Sequence, residues 1–396
     1  MKEQMQSQAA EKPRLSLKQR ILILSRRDRM GKAMPTWYRV LAACVILIAA
    51  LVLLSAQRHE RLKNRQIPAE PLTEGTNRLC FCGDLDLDGN VEVFSQRENR
   101  DLLYHSVAPL WQDADAVFAC LDGVVLPAGE QKPERLASFD TAVSVLPEAV
   151  NAAVNAGINA FALANDHTLD YGSRGVEQTM SAMNALGVSF AGIGENLPAA
   201  GTCRFLELNG LRVGFLSSSA VNPNGAGPID DYSLATTAYS ALYRNVFRAK
   251  AEADLVVVYV CWGEQNALPV SESQRRVAHQ LIQSGADVVI GTHTHVLQPV
   301  EHYQNGWVFY GLGDLVSDRD QRGERESVLL RLDLDRQTGN GSFTLIPLLL
   351  EDFCPAPTTN SFYVNQIHHS LLRELPDGSY IETEDGRIQI PVRFSE

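Results

Sequence analysis

Two histidines at the end of one apolar run are the residues of this chain best suited to chemistry. They lie in Gly291-Thr292-His293-Thr294-His295, directly after residues 286–290, whose continuous apolar pattern is typical of a buried strand. Because side chains alternate faces along a strand, His293 and His295 would point the same way if the strand continues through them. Neutral imidazoles are good ligands for divalent transition metals. The alternative is that neighbouring groups satisfy both histidines at an ordinary strand end.

Acidic, thiol and imidazole side chains also follow other apolar runs, each at the point where a predicted strand ends. They are Asp84, Asp122, Asp166 with His167, Cys261 and Asp314. Ligands bind at the carboxyl ends of the strands in open α/β sheets, so we expect these side chains to meet at one edge. Two divalent ions held there would favour phosphoester hydrolysis. One Asp after a strand also fits an ordinary turn, so the prediction depends on how many such ends there are.

Strands and helices must alternate to bring these ends together, and the apolar pattern does alternate. A helix is predicted over 148–156 after Pro147, and the capping box of Ser271 and Gln274 opens another just before the histidine strand. Asn209-Gly210-Leu211 predicts a hairpin turn. The fold class is therefore α/β, with helices on the faces of the sheet. Strands are predicted at 78–82, 116–121, 158–164, 205–208, 212–218, 255–260, 307–310, 327–332 and 342–348.

Charge is unevenly distributed along the chain. The net charge of the whole chain is −12. Residues 1–65 carry a net charge of +10, so residues 66–396 carry a net charge of −22. Nucleic-acid phosphates attract Lys and Arg, and a domain this acidic is a poor candidate for binding them. We therefore expect no nucleic-acid partner.

An uncharged apolar stretch at residues 40–56 separates two basic flanks. Its seventeen residues are at the short end of a membrane-spanning helix, and Trp37 and Tyr38 suit the interface at its start. A cleaved signal peptide and a buried core helix are the alternatives. The greater Lys/Arg excess before the stretch predicts a cytoplasmic basic tail at 1–39, a single-pass anchor in the cell membrane, a linker at 57–76 and an extracytoplasmic main domain.

Several motifs in order resemble one known family, the CapA-type proteins of poly-γ-glutamate capsule synthesis. The similarity covers about residues 79–318 and is strongest in four segments: 164–172 (ANDHTLDYG), 261–263 (CWG), 285–298 (GADVVIGTHTHVLQ) and 310–316 (YGLGDLV). The resemblance implies a four-layer α/β/β/α sandwich of the calcineurin-like metallophosphatase type over residues 77–350. Residues 351–396 are set apart as a carboxyl-terminal appendage.

The resemblance also implies a ligand set, with substitutions. Asp84, His293 and His295 match the family pattern, whereas Asp122, Asp166, Cys261 and Asp314 replace a Glu, an Asn, a His and an Asn of that pattern. Oxygen and thiolate ligands keep the site able to bind metal and favour a softer ion. The alternative is a decayed site in which Cys261 is merely a small buried residue.

The resulting hypothesis is a membrane-anchored protein of capsule or cell-envelope polymer synthesis. One or two divalent ions (Zn, Mn or Fe) would support hydrolysis or transfer at a phosphoryl or amide centre. His167 is the candidate general acid because imidazole titrates near neutral pH. Asn165 lies beside it, and Asp170 could orient its loop or simply stabilise a turn. The rivals are a non-catalytic scaffold of the polymer synthesis complex and a phosphodiesterase outside capsule production.

Overall fold

The computed structural model describes residues 18, 36–63, 72, 74–127, 142–221, 232–321 and 323–394. The chain divides into two compact units, Met1–Arg61 and Leu62–Glu396. The predicted tail at 1–39 lies outside the described residues except for residues 18 and 36–39. In the predicted linker at 57–76, residues 64–71 and 73 lie outside them.

Helix α1 spans Thr36–Lys63, and all but its last two residues belong to the first unit. Several of its large apolar side chains, including Trp37, Ile46 and Leu53, are more than half exposed. Among the residues that the structure describes, we find no helix that combines the length and the hydrophobicity needed to cross a membrane. The anchor at 40–56 stays a prediction.

In its described residues, the second unit is a mixed α/β structure with two principal sheets, of which the larger has ten strands. They are β1 (Thr76–Asp86), β2 (Ala116–Asp122), β5 (Ala160–Ala162), β6 (Ser189–Ala191), β15 (Asp314–Val316), β16 (Glu326–Asp335), β17 (Asn340–Glu351), β18 (Cys354–Pro357), β19 (Ile381–Glu382) and β20 (Ile388–Arg393). Their order is β19-β20-β17-β16-β1-β2-β5-β6, with β15 paired to β1 and β18 to β17.

The smaller principal sheet has six strands. They are β8 (Arg204–Leu208), β9 (Leu211–Ser219), β11 (Leu255–Cys261), β12 (Val288–Thr292), β13 (Leu297–Tyr303) and β14 (Gly306–Leu312). Their order is β13-β14-β12-β11-β9-β8. The predicted hairpin is confirmed, because β8 and β9 pair antiparallel across Asn209 and Gly210. Two short pairs complete the strands: β3 (Val124–Val125) with β4 (Ser144–Val145), and β7 (Ile193–Gly194) with β10 (Ser233–Leu234).

Helices cover the outer faces of both sheets. The helices of this unit are α2 (Gly89–Glu98), α3 (Pro147–Asn155), α4 (Gly172–Leu186), α5 (Leu197–Ala200), α6 (Ala241–Glu252), α7 (Glu272–Gln283) and α8 (Ser361–Leu372), with 3-10 turns at Arg100–Tyr104 and Ala108–Trp111. The capping box predicted at Ser271 and Gln274 is present at the start of α7.

The hydrophobic core falls into three main layers. The middle layer lies between the two sheets, where the Phe118 and Phe215 rings meet edge to face at 5.1 Å. One outer layer packs the ten-stranded sheet against α3 and α4, for example through Val150 and Met183. The other packs the six-stranded sheet against α6 and α7, for example through Val246. Burial on both faces explains why these strands read as continuous apolar runs.

The segment set apart as an appendage contributes to the same ten-stranded sheet. Strand β20 pairs antiparallel with β17, and Ile390 lies opposite Phe343. Helix α8 buries Ile367 and Leu371 in the layer between the sheets. Residues 354–393 therefore complete the sheet that carries Asp84 and Asp122.

Candidate metal centre

Parallel pairing places the functional ends of the ten-stranded sheet side by side. Strand β1 is parallel to β2 and to β15, and Asp84 lies in register with Cys120 on one side and with Asp314 on the other. Gly83 makes this approach possible, because a Cβ there would lie 1.7 Å from the Gly313 carbonyl oxygen. The sequence places glycine where β1 and the chain before Asp314 touch.

The facing six-stranded sheet delivers Cys261 and the histidine pair. Strands β11 and β12 are parallel, with Cys261 in register with Thr292. Gly291 allows β12 to lie close to β14 on its other side, because a Cβ there would lie 2.0 Å from the Tyr310 carbonyl oxygen. Both sheets thus bring their ligand candidates to one common edge.

The strand does not continue through the histidines, so the condition for their alternation along it is not met. Strand β12 ends at Thr292. His293 has φ of 81° and His295 has φ of 58°, both in the left-handed region that non-glycine residues seldom adopt. The rings nevertheless lie 6.0 Å apart between centroids. A strained loop, rather than strand pleating, brings the two imidazoles together.

The predicted ligands converge into three groups of buried side chains. In each group, one donor atom from each residue lies within 4.8 Å of the others. The groups are Asp166–Cys261–His293, Asp84–His295–Asp314 and Asp122–Asp166–His167. All six residues predicted as metal ligands therefore gather at this edge, together with His167 and Asp314.

Carboxylates hold both paired histidines. His293 Nδ1 lies 3.0 Å from Asp166 Oδ1, and the His293 backbone N–H donates to Asp84 Oδ2 at 3.0 Å. His295 Nδ1 lies 2.9 Å from Asp314 Oδ1. Carboxylates in such positions fix the ring orientation and tautomer of metal-binding histidines.

Burial and close charges shift the proton affinities of this cluster in opposite directions. Burial raises the pKa of Asp84 to about 7, and the charge of His295 opposes the rise. Burial alone would lower the pKa of His295, but the charge of Asp314 and its hydrogen bond outweigh it and raise the pKa to about 10. Burial favours a higher pKa for Asp166 too, yet its bond to His293 holds that pKa below the usual value.

His167 and Asp170 form a directly bonded pair. His167 Nδ1 lies 2.8 Å from Asp170 Oδ2, which also accepts the Val143 backbone N–H at 2.8 Å. Burial acts to lower the pKa of His167, but the bond to Asp170 and the charge of Asp122 raise it to about 9. Asp170 contacts the imidazole itself, beyond any effect on the turn.

Asn165 belongs to the loop scaffold and to none of the three donor groups. Its Nδ2 donates to the Leu121 carbonyl at 2.6 Å, and its Oδ1 accepts the His167 backbone N–H at 3.1 Å. Thr168 Oγ1 also donates to this Oδ1. Asn165 therefore ties the His167 loop to the end of β2.

Two buried neighbours of the cluster were missed in the sequence. Asp86 lies two residues after Asp84 in β1 and in register with Asp122, and burial raises its pKa to about 8. Cys120 bonds to Asp84, and burial raises the pKa of its thiol well above the usual value. The alternation of Asp84 with Asp86, and of Cys120 with Asp122, was the available signal.

The part of the chain that carries the donor set is similar to a described protein family. The family model "Bacterial capsule synthesis protein PGA_cap" matches residues 78–319. The chain belongs to this family. The predicted family is confirmed, and all the candidate site residues lie inside the matched region.

Curated relatives agree with this membership of the capsule synthesis family. "Capsule biosynthesis protein CapA" of Bacillus anthracis is 27% identical over 385 residues, 95% of this chain and 91% of that protein. "PGA biosynthesis protein CapA" of Bacillus subtilis (strain 168) is 26% identical over 320 residues, 80% of this chain and 82% of the relative. The chain is thus a CapA-like protein of capsule synthesis.

More distant similarities are narrower. A "probable polyglutamine synthesis accessory protein" of Mycobacterium tuberculosis is 28% identical over 207 residues, 47% of this chain and 54% of that protein. The crystal structure of TT1561 of Thermus thermophilus is similar over 64% of this chain and 94% of that one, at 14% identity and a TM-score of 0.35.

Proposed function

We propose that the protein is a divalent-metal-dependent hydrolase or transferase of capsule polyglutamate or related cell-envelope polymer synthesis. The observation that carries the proposal is a set of buried donor atoms with no hydrogen-bond partner in the described part of the chain. They are His295 Nε2, Asp314 Oδ2 and Asp122 Oδ1. The protein that carries these atoms belongs to a family whose relatives are named for capsule and PGA biosynthesis.

The unpaired atoms fit a metal ion better than an empty protein core. A buried polar atom without a partner costs on the order of 1–3 kcal/mol, and each such atom in a native structure calls for an explanation. A cation that accepts lone pairs from His295 Nε2 and Asp314 Oδ2, and a second ion beside Asp122 Oδ1, would remove these costs. Imidazole, carboxylate and thiol donors are the types that bind Zn, Mn or Fe.

The three donor groups suggest how the residues divide the work. Asp84, His295 and Asp314 would hold one ion, and Asp166, Cys261 and His293 would hold a second, with Asp122 adjoining Asp166. Such ions, when bound, activate water and stabilise negative charge at a phosphoryl or acyl oxygen.

His167 would serve as the proton donor. Asp170 orients its ring through Nδ1 and stabilises the protonated form, while Nε2 lies 3.6 Å from Asp166 Oδ2 on the side of the cluster. A histidine that keeps its proton at neutral pH is suited to protonate a leaving group.

We further propose that the 40–56 stretch anchors the protein in the cell membrane, with the amino terminus cytoplasmic and the main domain outside. The charge-free apolar sequence and the basic flanks support this orientation. Anchoring would place the main domain beside a membrane-bound polymer synthesis complex. Protease added to intact cells or spheroplasts is then expected to digest residues 62–396, whereas protection of that part would contradict the orientation.

The function is tested by polymer production in cells. The His293→Ala/His295→Ala double variant, expressed at wild-type level in cells lacking the native gene, is expected to abolish capsule polymer. His369→Ala, an exposed histidine on α8, is the matched control and is expected to support normal synthesis. Normal polymer from the double variant would show that the cluster is not what the protein works with and would favour the scaffold hypothesis.

The phosphodiesterase alternative makes a separate prediction. It requires metal-dependent turnover of simple aryl phosphodiesters by the purified full-length chain, whereas the capsule hypothesis does not. Such turnover together with normal polymer from the double variant would place the activity outside capsule synthesis.

A further inference from the structure

A buried glutamine, Gln298, connects two loops beside the cluster. The histidine loop is residues 293–296, and the cysteine loop is residues 262–270, which directly follow Cys261. Gln298 lies in β13, three residues after His295, and its exposed fraction is 0%. It is the last residue of the motif at 285–298. A fully buried amide must find its hydrogen-bond partners inside the protein.

Both ends of the Gln298 amide are used. Nε2 donates to the carbonyl of Ala267 at 2.8 Å and to that of Pro269 at 3.2 Å. Oε1 accepts from Gln274 Nε2 at 2.7 Å. The two carbonyls belong to the cysteine loop. Gln298 itself lies in β13 just after the histidine loop, so its amide joins the two loops.

Gln274 extends this connection to helix α7. Its Oε1 accepts the Ser271 backbone N–H at 2.9 Å, and this bond forms part of the capping box. A continuous set of hydrogen bonds therefore runs from the start of α7 through Gln298 to the cysteine loop.

The two loops also touch directly, which leaves little room for independent movement. The Asn266 N–H donates to the Thr294 carbonyl at 2.9 Å, and the Trp262 N–H donates to the Thr292 carbonyl at 3.3 Å. Gly263 has φ of +84°, and a Cβ there would lie 2.9 Å from Thr294 Cγ2. A shift of the cysteine loop would therefore change its contacts with the histidine loop.

We propose that Gln298 is a positioning residue that fixes Cys261 relative to His293, and so sets the geometry of the Asp166–Cys261–His293 group. The inference rests on the proposed metal-dependent function. An apolar side chain in place of Gln298 would leave the Ala267 and Pro269 carbonyls without this donor. Groups that hydrogen-bond to the ligands themselves typically affect metal affinity by about 10–100-fold, and Gln298, which acts through the backbone that follows Cys261, is expected at the lower end of that range.

The test is Co²⁺ binding to the full-length chain purified in detergent. Co²⁺ is the probe because ligation by a thiolate adds a charge-transfer absorption, which Cys261→Ser identifies by its loss. Gln298→Met, which keeps the shape but not the hydrogen bonds, is expected to weaken Co²⁺ binding by about 10-fold and to reduce this absorption. Gln274→Met is expected to do the same to a smaller extent.

The matched control is Gln283→Met, an exposed residue on the same helix α7 as Gln274, whose Nε2 donates to the hydroxyl of the half-buried Tyr303 at 2.9 Å. It is expected to keep wild-type affinity and absorption. Should Gln298→Met fail to fold, Gln274→Met decides the question.

The outcomes separate the inference from the proposed function. Wild-type protein that binds no Co²⁺ would contradict both. Wild-type binding with thiolate absorption, unchanged in Gln298→Met or in a deciding Gln274→Met, would overturn the positioning role alone. An equal loss of Co²⁺ affinity in Gln283→Met would also overturn it, because the effect would then not be specific to the hydrogen bonds of Gln298.

Discussion

Asp314 illustrates how one carboxylate can set the chemistry of a neighbouring imidazole. It is completely buried, and its Oδ1 bonds to His295 Nδ1 while its Oδ2 has no hydrogen-bond partner among the described residues. The same side chain can thus orient the ring and present a second oxygen to an ion. An amide at this position would keep the shape and lose the charge.

We therefore expect Asp314→Asn to weaken metal binding by about 10–100-fold, the range typical of carboxylates that support metal-bound histidines. The measurement is competition against a chelator of known affinity. Asp377→Asn, an exposed aspartate remote in sequence from the cluster, is the control. Equal affinities for wild type and Asp314→Asn would show that this carboxylate takes no part in metal binding.

At this scale the sequence predicted which residues converge but not how. The end of an apolar run located Asp84, Asp122 and Cys261, because a buried strand must leave the core at its end. The positive φ angles of His293 and His295 could not be predicted, since only tertiary contacts hold non-glycine residues there. The bond between Gln298 and the cysteine loop likewise depends on tertiary placement.

Strand β20 joins the carboxyl-terminal segment to the ten-stranded sheet, beside the contacts made by β18 and helix α8. Ile390 is completely buried opposite Phe343, whereas Ile381 in the neighbouring β19 is 60% exposed. The two isoleucines provide a matched pair for measuring what this segment contributes to stability.

Ile390→Ala is expected to lower the free energy of unfolding by about 2–5 kcal/mol, because it removes buried methyl groups and leaves a cavity. Ile381→Ala is expected to change it by less than about 0.5 kcal/mol, as surface substitutions usually do. Urea unfolding of the purified chain measures both. Similar values for the two variants would mean that β20 is not packed as described.

Element positions were more predictable than element partners. The strand predicted at 116–121 is observed at Ala116–Asp122, and the helix predicted at 148–156 is observed at Pro147–Asn155. Strand β20 received no prediction, because its short alternation of buried and exposed residues follows a polar turn-rich segment. Pairing across a sheet joins residues far apart in sequence, which local periodicity does not encode.

The stability of the folded protein depends on pH through the candidate ligands and their neighbours, because their pKa values differ from those of the unfolded chain. Without metal, the pKa values of Asp84, Asp86, His167 and His295 are raised to about 7, 8, 9 and 10, chiefly by burial for the carboxyls and by carboxylate neighbours for the imidazoles. The folded state then binds more protons than the unfolded state, so stability falls as pH rises.

The metal-free protein is therefore expected to unfold at a lower temperature at about pH 9 than at about pH 6, within the range where these four groups lose protons. Asp166 has the opposite sign, but its lowered pKa acts only below 3.8. Thermal unfolding in excess chelator measures the effect. A midpoint that rises over this range would contradict the protonation states described for the cluster.

The metal content of the full-length chain, purified after expression with added Zn, Mn and Fe, tests the central claim most directly. Elemental analysis is expected to find about one to two equivalents of divalent ion in wild type. His293→Ala/His295→Ala is expected to lose most of it and His369→Ala none. Less than about 0.1 equivalent in wild type, where a built site should bind tightly, would contradict the metal centre.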